Sequence, residues 1–178
     1  VTAVNGQTSD FSWKAAENTF VTGESTGATT GDIITDNLVN ISTTNQDVVY
    51  TVTPIGTNGC TGNTFTVTVT VYPEPDLNSL SAETCSDINS GVTLSIANPG
   101  AVGTVTYLIN SITTGGLGDS DGASLSGLSS TSTNFIYNEK WNNTNNADVN
   151  VIYYITPTGS NTCEGETETV TVKVKSEP

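Results

Sequence analysis

The sequence predicts an all-β chain of two tandem immunoglobulin-like antiparallel β-sandwich domains, the first truncated at its N-terminus. Three observations predict it. Apolar residues alternate with Thr, Ser or Asn along several short runs, as half-buried strands require, and no segment keeps a helical period. Asn, Gly, Ser and Pro cluster between those runs, where turns belong. The third is an internal repeat. Residues 49–75 read VYTVTPIGTNGCTGNTFTVTVTVYPEP and residues 152–178 read IYYITPTGSNTCEGETETVTVKVKSEP, aligned without a gap at an offset of 103, with 15 identities in 27 positions. That period is too long for a solenoid and suits a string of sandwich domains.

The repeat fixes the organisation. The 178 residues have room for two small domains. Residues 1–73 are expected to form one, residues 74–76 a short Pro-rich linker, and residues 77–178 a complete second domain. Pro73 and Pro75 cannot continue a ladder and make a stiff joint, so the domains are expected end to end. Relative to the second domain, the first lacks two strands.

The elements follow in chain order. In the first domain Phe11-Ser12-Trp13 is expected to match Val105-Thr106-Tyr107 of the second, and Leu38 to Ile41 to match a strand around Phe135. Val48, Tyr50 and Val52 form an inward row, repeated by Val151, Tyr153 and Ile155. A turn leads to Phe65, Val67, Val69 and Val71, which alternate with Thr and close an antiparallel hairpin with one apolar face. In the second domain, Leu80 and Ala82 mark a first strand. Val92, Leu94 and Ile96 mark a second, and Val105, Tyr107 and Ile109 a third. Gly115 to Gly127 is a loop, Phe135 and Tyr137 mark another strand, and Asn142 to Asn146 is a polar loop. The closing hairpin is Val149–Thr156 with Thr167–Val174. About seven strands in about 100 residues is the pattern of an immunoglobulin-like sandwich.

Three cysteines are an odd number for a secreted chain. The repeat suggests that the partner of Cys60 would lie upstream of Val1. Cys60 is therefore expected to be unpaired here, with Cys85 and Cys163 joined in a disulfide worth roughly 4 kcal/mol in the chain-entropy model. A thiol nucleophile would lack a His partner, and a zinc site would lack enough thiols.

Charge and composition exclude several functions. Thr is about one residue in five, His, Arg and Met are absent, and four Lys face 18 acids for a net charge of −14. No basic patch exists for nucleic acid. The commonest general base and metal ligand is missing, and so is the best anion clamp. No apolar run is long enough for a membrane span or a signal segment; a piece of a longer exported protein would also lack one. No acidic pair sits in a glycosidase motif.

Two acidic groupings are candidates for calcium. Gly118-Asp119-Ser120-Asp121-Gly122 has the D-x-D-G pattern of a calcium loop, without the further ligands of an EF-hand; a plain turn is the alternative. Glu74 and Asp76 sit at the joint, where an ion could relieve repulsion; a metal-free linker is the alternative. Trp13 falls on a sheet strand and reads as core. Trp141, beside Lys140 and an Asn-rich loop, is a candidate sugar-stacking ring, against a role in covering the sandwich end.

The stretches Val49 to Pro54, Asn58 to Gly62 and Phe65 to Val71 resemble the PKD-like, immunoglobulin-fold repeats of large Bacteroidota cell-surface proteins, the gliding-motility adhesins of flavobacteria among them. Phe11-Ser12-Trp13 and Cys85-Ser86-Asp87 resemble two further family marks, with Asp87 where Gly is expected. Glu164, Glu166, Glu168, Lys173 and Lys175 depart from the pattern and place charge around the last strand. The resemblance implies export to the cell surface, by the type IX route, and a non-catalytic role as stalk or adhesive filament. Its expected partners are neighbouring repeats of the same chain and a surface polysaccharide or substratum, with no membrane insertion and a monomeric fragment. The alternative is a carbohydrate-binding or spacer module of a secreted enzyme.

Overall fold

The computed structural model describes residues 9–121 and 124–177. Gly122 of the expected calcium loop and Pro178 of the repeat lie outside the described residues. The chain divides into two compact units, Val1–Pro73 and Glu74–Pro178.

In the first unit the strands are β1 (Ser9–Ala15), β2 (Val21–Thr22), β3 (Thr29–Gly31), β4 (Val39–Asn40), β5 (Gln46–Gly56) and β6 (Phe65–Val71). The main sheet has the order β3-β1-β5-β6, antiparallel throughout. β2 and β4 form a separate two-stranded ribbon. Alternation sends Val48, Tyr50 and Val52 to one face of β5, where they pack with Trp13, Ala15 and Val21 as the core. The ribbon contributes Val21 and so covers that face.

The second unit has β7 (Leu80–Cys85), a helical turn α1 (Pro99–Val102), then β8 (Thr106–Thr113), β9 (Gly118–Asp119), β10 (Ser129–Ser130), β11 (Trp141–Asn142), β12 (Val149–Thr158) and β13 (Glu168–Lys175). Its main sheet runs β10-β8-β12-β13-β7, and β9 and β11 form the ribbon. β7 joins β13 in parallel, from Val170 opposite Leu80 to Lys175 opposite Cys85; the other pairs are antiparallel. Val151, Tyr153, Ile155, Val170, Val172 and Val174 are fully buried. Leu77, Val92, Leu94 and Ile136 close over them.

The expected elements need four corrections. Val39 of β4 stands where Asn142 of β11 stands, so Leu38 to Ile41 match β11 and not a strand around Phe135. Phe135 and Tyr137 lie in turns, not in a strand. The Phe135 and Tyr137 amides donate to the carbonyls of Ser132 and Asn134, and Ile136 between them is the buried residue. The stretch from Val92 to Ile96 joins no ladder beyond an isolated antiparallel bridge of Ile96 to Leu77. It is held by single bonds, such as Leu94 N to Thr133 O at 2.7 Å, while Val92 and Leu94 still point inward. Finally, Phe11 faces Pro54 and Trp13 faces Val52, whereas Tyr107 faces Pro157 and Ile109 faces Ile155. Trp13 therefore matches Ile109, two residues beyond the expected partner. A shift of two keeps every side chain on its face, so the alternation pattern could not detect it.

The 103-residue offset extends further back than the hairpin. Asn40 Nδ2 donates to Val71 O at 2.8 Å, and Asn143 Nδ2 donates to Val174 O at 2.8 Å. The same amides also reach Thr44 O and Ala147 O. Each asparagine Oδ1 accepts a backbone N–H two residues on, from Ser42 and from Asn145. One asparagine thus clasps the end of the last strand in each unit.

Candidate functional site

Residues 120–140 separate β9 from β11 in the chain, yet the ribbon brings their acids together. Asp119 faces Trp141 across the β9–β11 pair, and Asn142 faces Gly118. Ser120 N donates to Lys140 O at 3.0 Å, and Asp121 N donates to Asp119 Oδ1 at 3.0 Å, which turns the chain back after β9. Glu139 is anchored through its backbone, accepting from Ser90 N at 2.8 Å and donating to Ile136 O at 3.3 Å. One carboxylate oxygen each from Asp119, Asp121 and Glu139 lies within 4.8 Å of the others. Asp121 is exposed, Asp119 is half-buried, and Glu139 is only 6% exposed. Glu139 Oε2 has no hydrogen-bond partner among the described residues. Burial, and then the charges of Asp121 and Asp119, push the Glu139 carboxyl up to about 7.

Asp87 braces the outside of this ribbon. It accepts from Ser120 Oγ and from Asn142 Nδ2, the latter at 3.0 Å. These bonds, Ser120's first, hold its carboxyl below the usual value. Asp87 stands at φ 61, the left-handed region where glycine is easiest. That accounts for a glycine being expected at this place, and the two bonds are what the acid gains there.

The first unit shows what the same place looks like without the acid group. Asp36 stands 103 residues before Glu139, and Tyr50 stands 103 before Tyr153. Asp36 accepts from Ser25 N at 2.7 Å, Ser25 Oγ at 2.6 Å and the Tyr50 hydroxyl at 2.7 Å. Burial pushes Asp36 up, but these donors outweigh it and its carboxyl sits below the usual range. In the second unit the Tyr153 hydroxyl instead accepts from Trp141 Nε1 at 2.8 Å. Thr22 pairs with Val39 and Gly118 with Asn142, the residue 103 further on. Counting on from that pair, Asp119 takes the place of Gly23 and Asp121 the place of Ser25. Two neutral positions have become acids around a third.

The other expected site residues fall elsewhere. All three cysteines are free thiols, so the expected Cys85–Cys163 disulfide is not formed. Cys85 lies beside Lys175 at one end of β13, while Cys163 precedes Glu168 at the other end. At about 3.3 Å per residue the two are more than roughly 20 Å apart along the sheet, far beyond a disulfide's reach. Trp141 is 3% exposed, so it is a core residue and not a stacking platform. Glu74 and Asp76 carry exposed side chains, and their backbone is tied to Asn98, which donates to Glu74 O and accepts from Asp76 N. Among the described residues neither belongs to a group of three metal-ligating side chains. The lysines of the last strand bridge to its neighbours: Lys173 meets Glu83 at 3.5 Å and Asp148 at 3.2 Å, and Lys175 meets Glu83 at 3.1 Å.

The sequence reading missed Glu139. It lies outside the D-x-D loop and 18 residues beyond Asp121, so no local motif reports it. The signal that could have found it was the offset of 103 carried back past the hairpin, which sets it on Asp36.

The PKD-like domain family model matches residues 1–75 and 119–178, well over half of the chain. The chain belongs to the PKD-like domain family, and its fold is the all-β, immunoglobulin-like one expected. It is also similar to the crystal structure of chicken VE-cadherin EC1-2, at 14% sequence identity and a TM-score of 0.28, over 94% of this chain and 84% of that one. That likeness is too distant to bear on site or function. No curated protein matches the chain in sequence. No helix among the described residues is long and apolar enough to cross a membrane.

Proposed function

We propose that the chain is a non-catalytic structural and adhesive repeat segment of a long bacterial cell-surface filament that serves surface attachment or gliding motility. The observation that carries this reading is the repeat itself. Two copies of one hairpin, each closed by the same asparagine clasp, are what a string of identical building blocks looks like locally. Rigid sandwich units in series transmit force, and many weak copies give avidity without a strong individual site. Export by the type IX route, neighbouring repeats as partners, and a polysaccharide or substratum as the contacted surface belong to the same proposal.

The acid chemistry supports a non-catalytic reading. A carboxyl raised to about 7 beside two other acids is the electrostatic pattern of a general acid. A general acid must also reach its substrate, and Glu139 is 6% exposed beneath the ribbon. The test is an antiserum raised against the purified chain. It should label intact producing cells and block their attachment or movement on glass. Labelling only after lysis would reject the surface role; labelling without any block would reject the adhesive one.

A further inference from the structure

We propose that Asp119, Asp121 and Glu139 form a calcium site that fastens the β9–β11 ribbon to the body of the second unit. The three carboxylates converge to within 4.8 Å. Calcium–oxygen distances are about 2.3–2.6 Å, so two oxygens on one ion lie up to about 5 Å apart. The spacing therefore suits one shared ion.

Proximity of acids alone would prove little on a chain of charge −14. The second observation is Glu139. It is buried to 6% exposure, its Oε2 has no hydrogen-bond partner among the described residues, and that carboxylate belongs to the same group as two other acids. A buried, unsatisfied carboxylate is costly unless a cation or donors compensate it. The repeat shows that this fold can provide donors at the same place, because Asp36 receives three of them. In the second unit Asp121 stands in Ser25's place, Asp119 replaces a glycine, and the Tyr153 hydroxyl accepts from Trp141. The position that supplies two of the donors in one unit, Ser25, supplies a carboxylate in the other. That exchange weakens a self-contained fold and builds a cation site.

The ligand set selects the ion. It is all oxygen, with no imidazole and no thiol, which disfavours zinc. Asp121 is exposed, so water can complete a shell of 6–8 ligands, as calcium accepts and rigidly octahedral magnesium does not. Asp119 lies opposite Trp141 in the ribbon, and Glu139 is bonded through Ser90 to the segment on its other side. An ion between them would link the two.

Terbium, a calcium mimic, tests this on the full 178-residue chain in about 0.15 M salt at mildly alkaline pH. Trp141, opposite Asp119, should sensitise its luminescence. We expect one saturable terbium per chain, displaced by calcium. Glu139→Gln and Asp121→Asn should each weaken binding at least about tenfold, while a Glu74→Gln/Asp76→Asn double variant should bind as the parent does. Glu139→Gln should also melt higher than the parent in EDTA, which separates loss of the site from loss of the fold. Absence of a saturable signal, an unchanged signal in Glu139→Gln, or loss of it in the Glu74/Asp76 variant would each overturn the proposal. A parent and Glu139→Gln that melt alike in EDTA and respond alike to calcium would mean that a proton alone neutralises Glu139.

Discussion

The closing hairpins of the two units share a sequence template but differ in burial. Val67, Val69 and Val71 on β6 correspond to Val170, Val172 and Val174 on β13. The second set is fully buried; Val69 is 37% exposed, and Phe65 beside it is 38% exposed. The difference lies in what covers the strand. β7 pairs with the free side of β13, and Leu77, Val92 and Leu94 pack over its face. Among the described residues β6 is the sheet's edge, and a cavity of about 220 Å³ lined by Phe11, Trp13, Ile34, Phe65 and Val67 opens beside it. Alternation decides which way a valine points; only the next layer decides whether water reaches it.

The largest contrast is therefore expected at these valines. Val172→Asp should cost the second unit more than about 3 kcal/mol, because it buries an unpaired charge. Val69→Asp, in the same place of the repeat, should cost the first unit less than about 1 kcal/mol. Hydrogen exchange read unit by unit measures both. Equal costs would mean that β6 is covered in solution as β13 is.

The clasp should show a smaller contrast of the same sign. Asn143 is fully buried, whereas Asn40 is half-exposed. Asn143→Ala leaves the Val174 carbonyl unsatisfied and should cost about 2–3 kcal/mol. At Asn40→Ala, water can replace the amide, and the cost should be nearer 1 kcal/mol. If both are neutral, the clasp is a shared geometry without energetic weight.

Acidity should act on the two units in opposite directions in metal-free buffer. Glu139 rises from 4.5 to about 7 on folding, so the folded state holds a proton that the unfolded chain releases. Its contribution is fully present below pH 4.5 and is lost as pH rises through about 7. It amounts to something on the order of 3 kcal/mol or less. Asp36 lies below its ordinary 3.8, so its contribution is present above that pH and is lost as pH falls through the folded value. From neutral to mildly acidic pH the second unit should gain stability while the first stays level. Glu139→Gln should flatten the second unit's response and leave the first unit's alone.

The smallest effect expected is that of reductant. With Cys60, Cys85 and Cys163 all free, oxidised monomer should contain three titratable thiols, and reductant should leave melting unchanged. A bridge mapped between Cys85 and Cys163 would contradict the register that sets Cys85 beside Lys175.

These contrasts also mark what could be read from the sequence. The inward row of Val48, Tyr50 and Val52 and its copy were legible, because long alternating strands with Thr on the other face leave little choice. The layer opposite was not. Its ribbons are two residues long, and Phe135 to Tyr137 is held by turns at Ser132 and Asn134, so neither has a period to detect. The disulfide failed because spacing along the chain carries no information about which end of a strand a residue reaches. The candidate site was half legible. Asp119 and Asp121 share a local motif, but Glu139 arrives through the fold, and its burial is a tertiary fact. Only its alignment on Asp36 ties it to the repeat.

The central claim is that one place in the repeat holds two acids in opposite states. Carbon-13 carboxyl titration of the metal-free chain measures both in one sample. The account predicts that Asp36 titrates below 3.8 and Glu139 near 7. Both carboxyls titrating at ordinary values, or both shifted the same way, would contradict it.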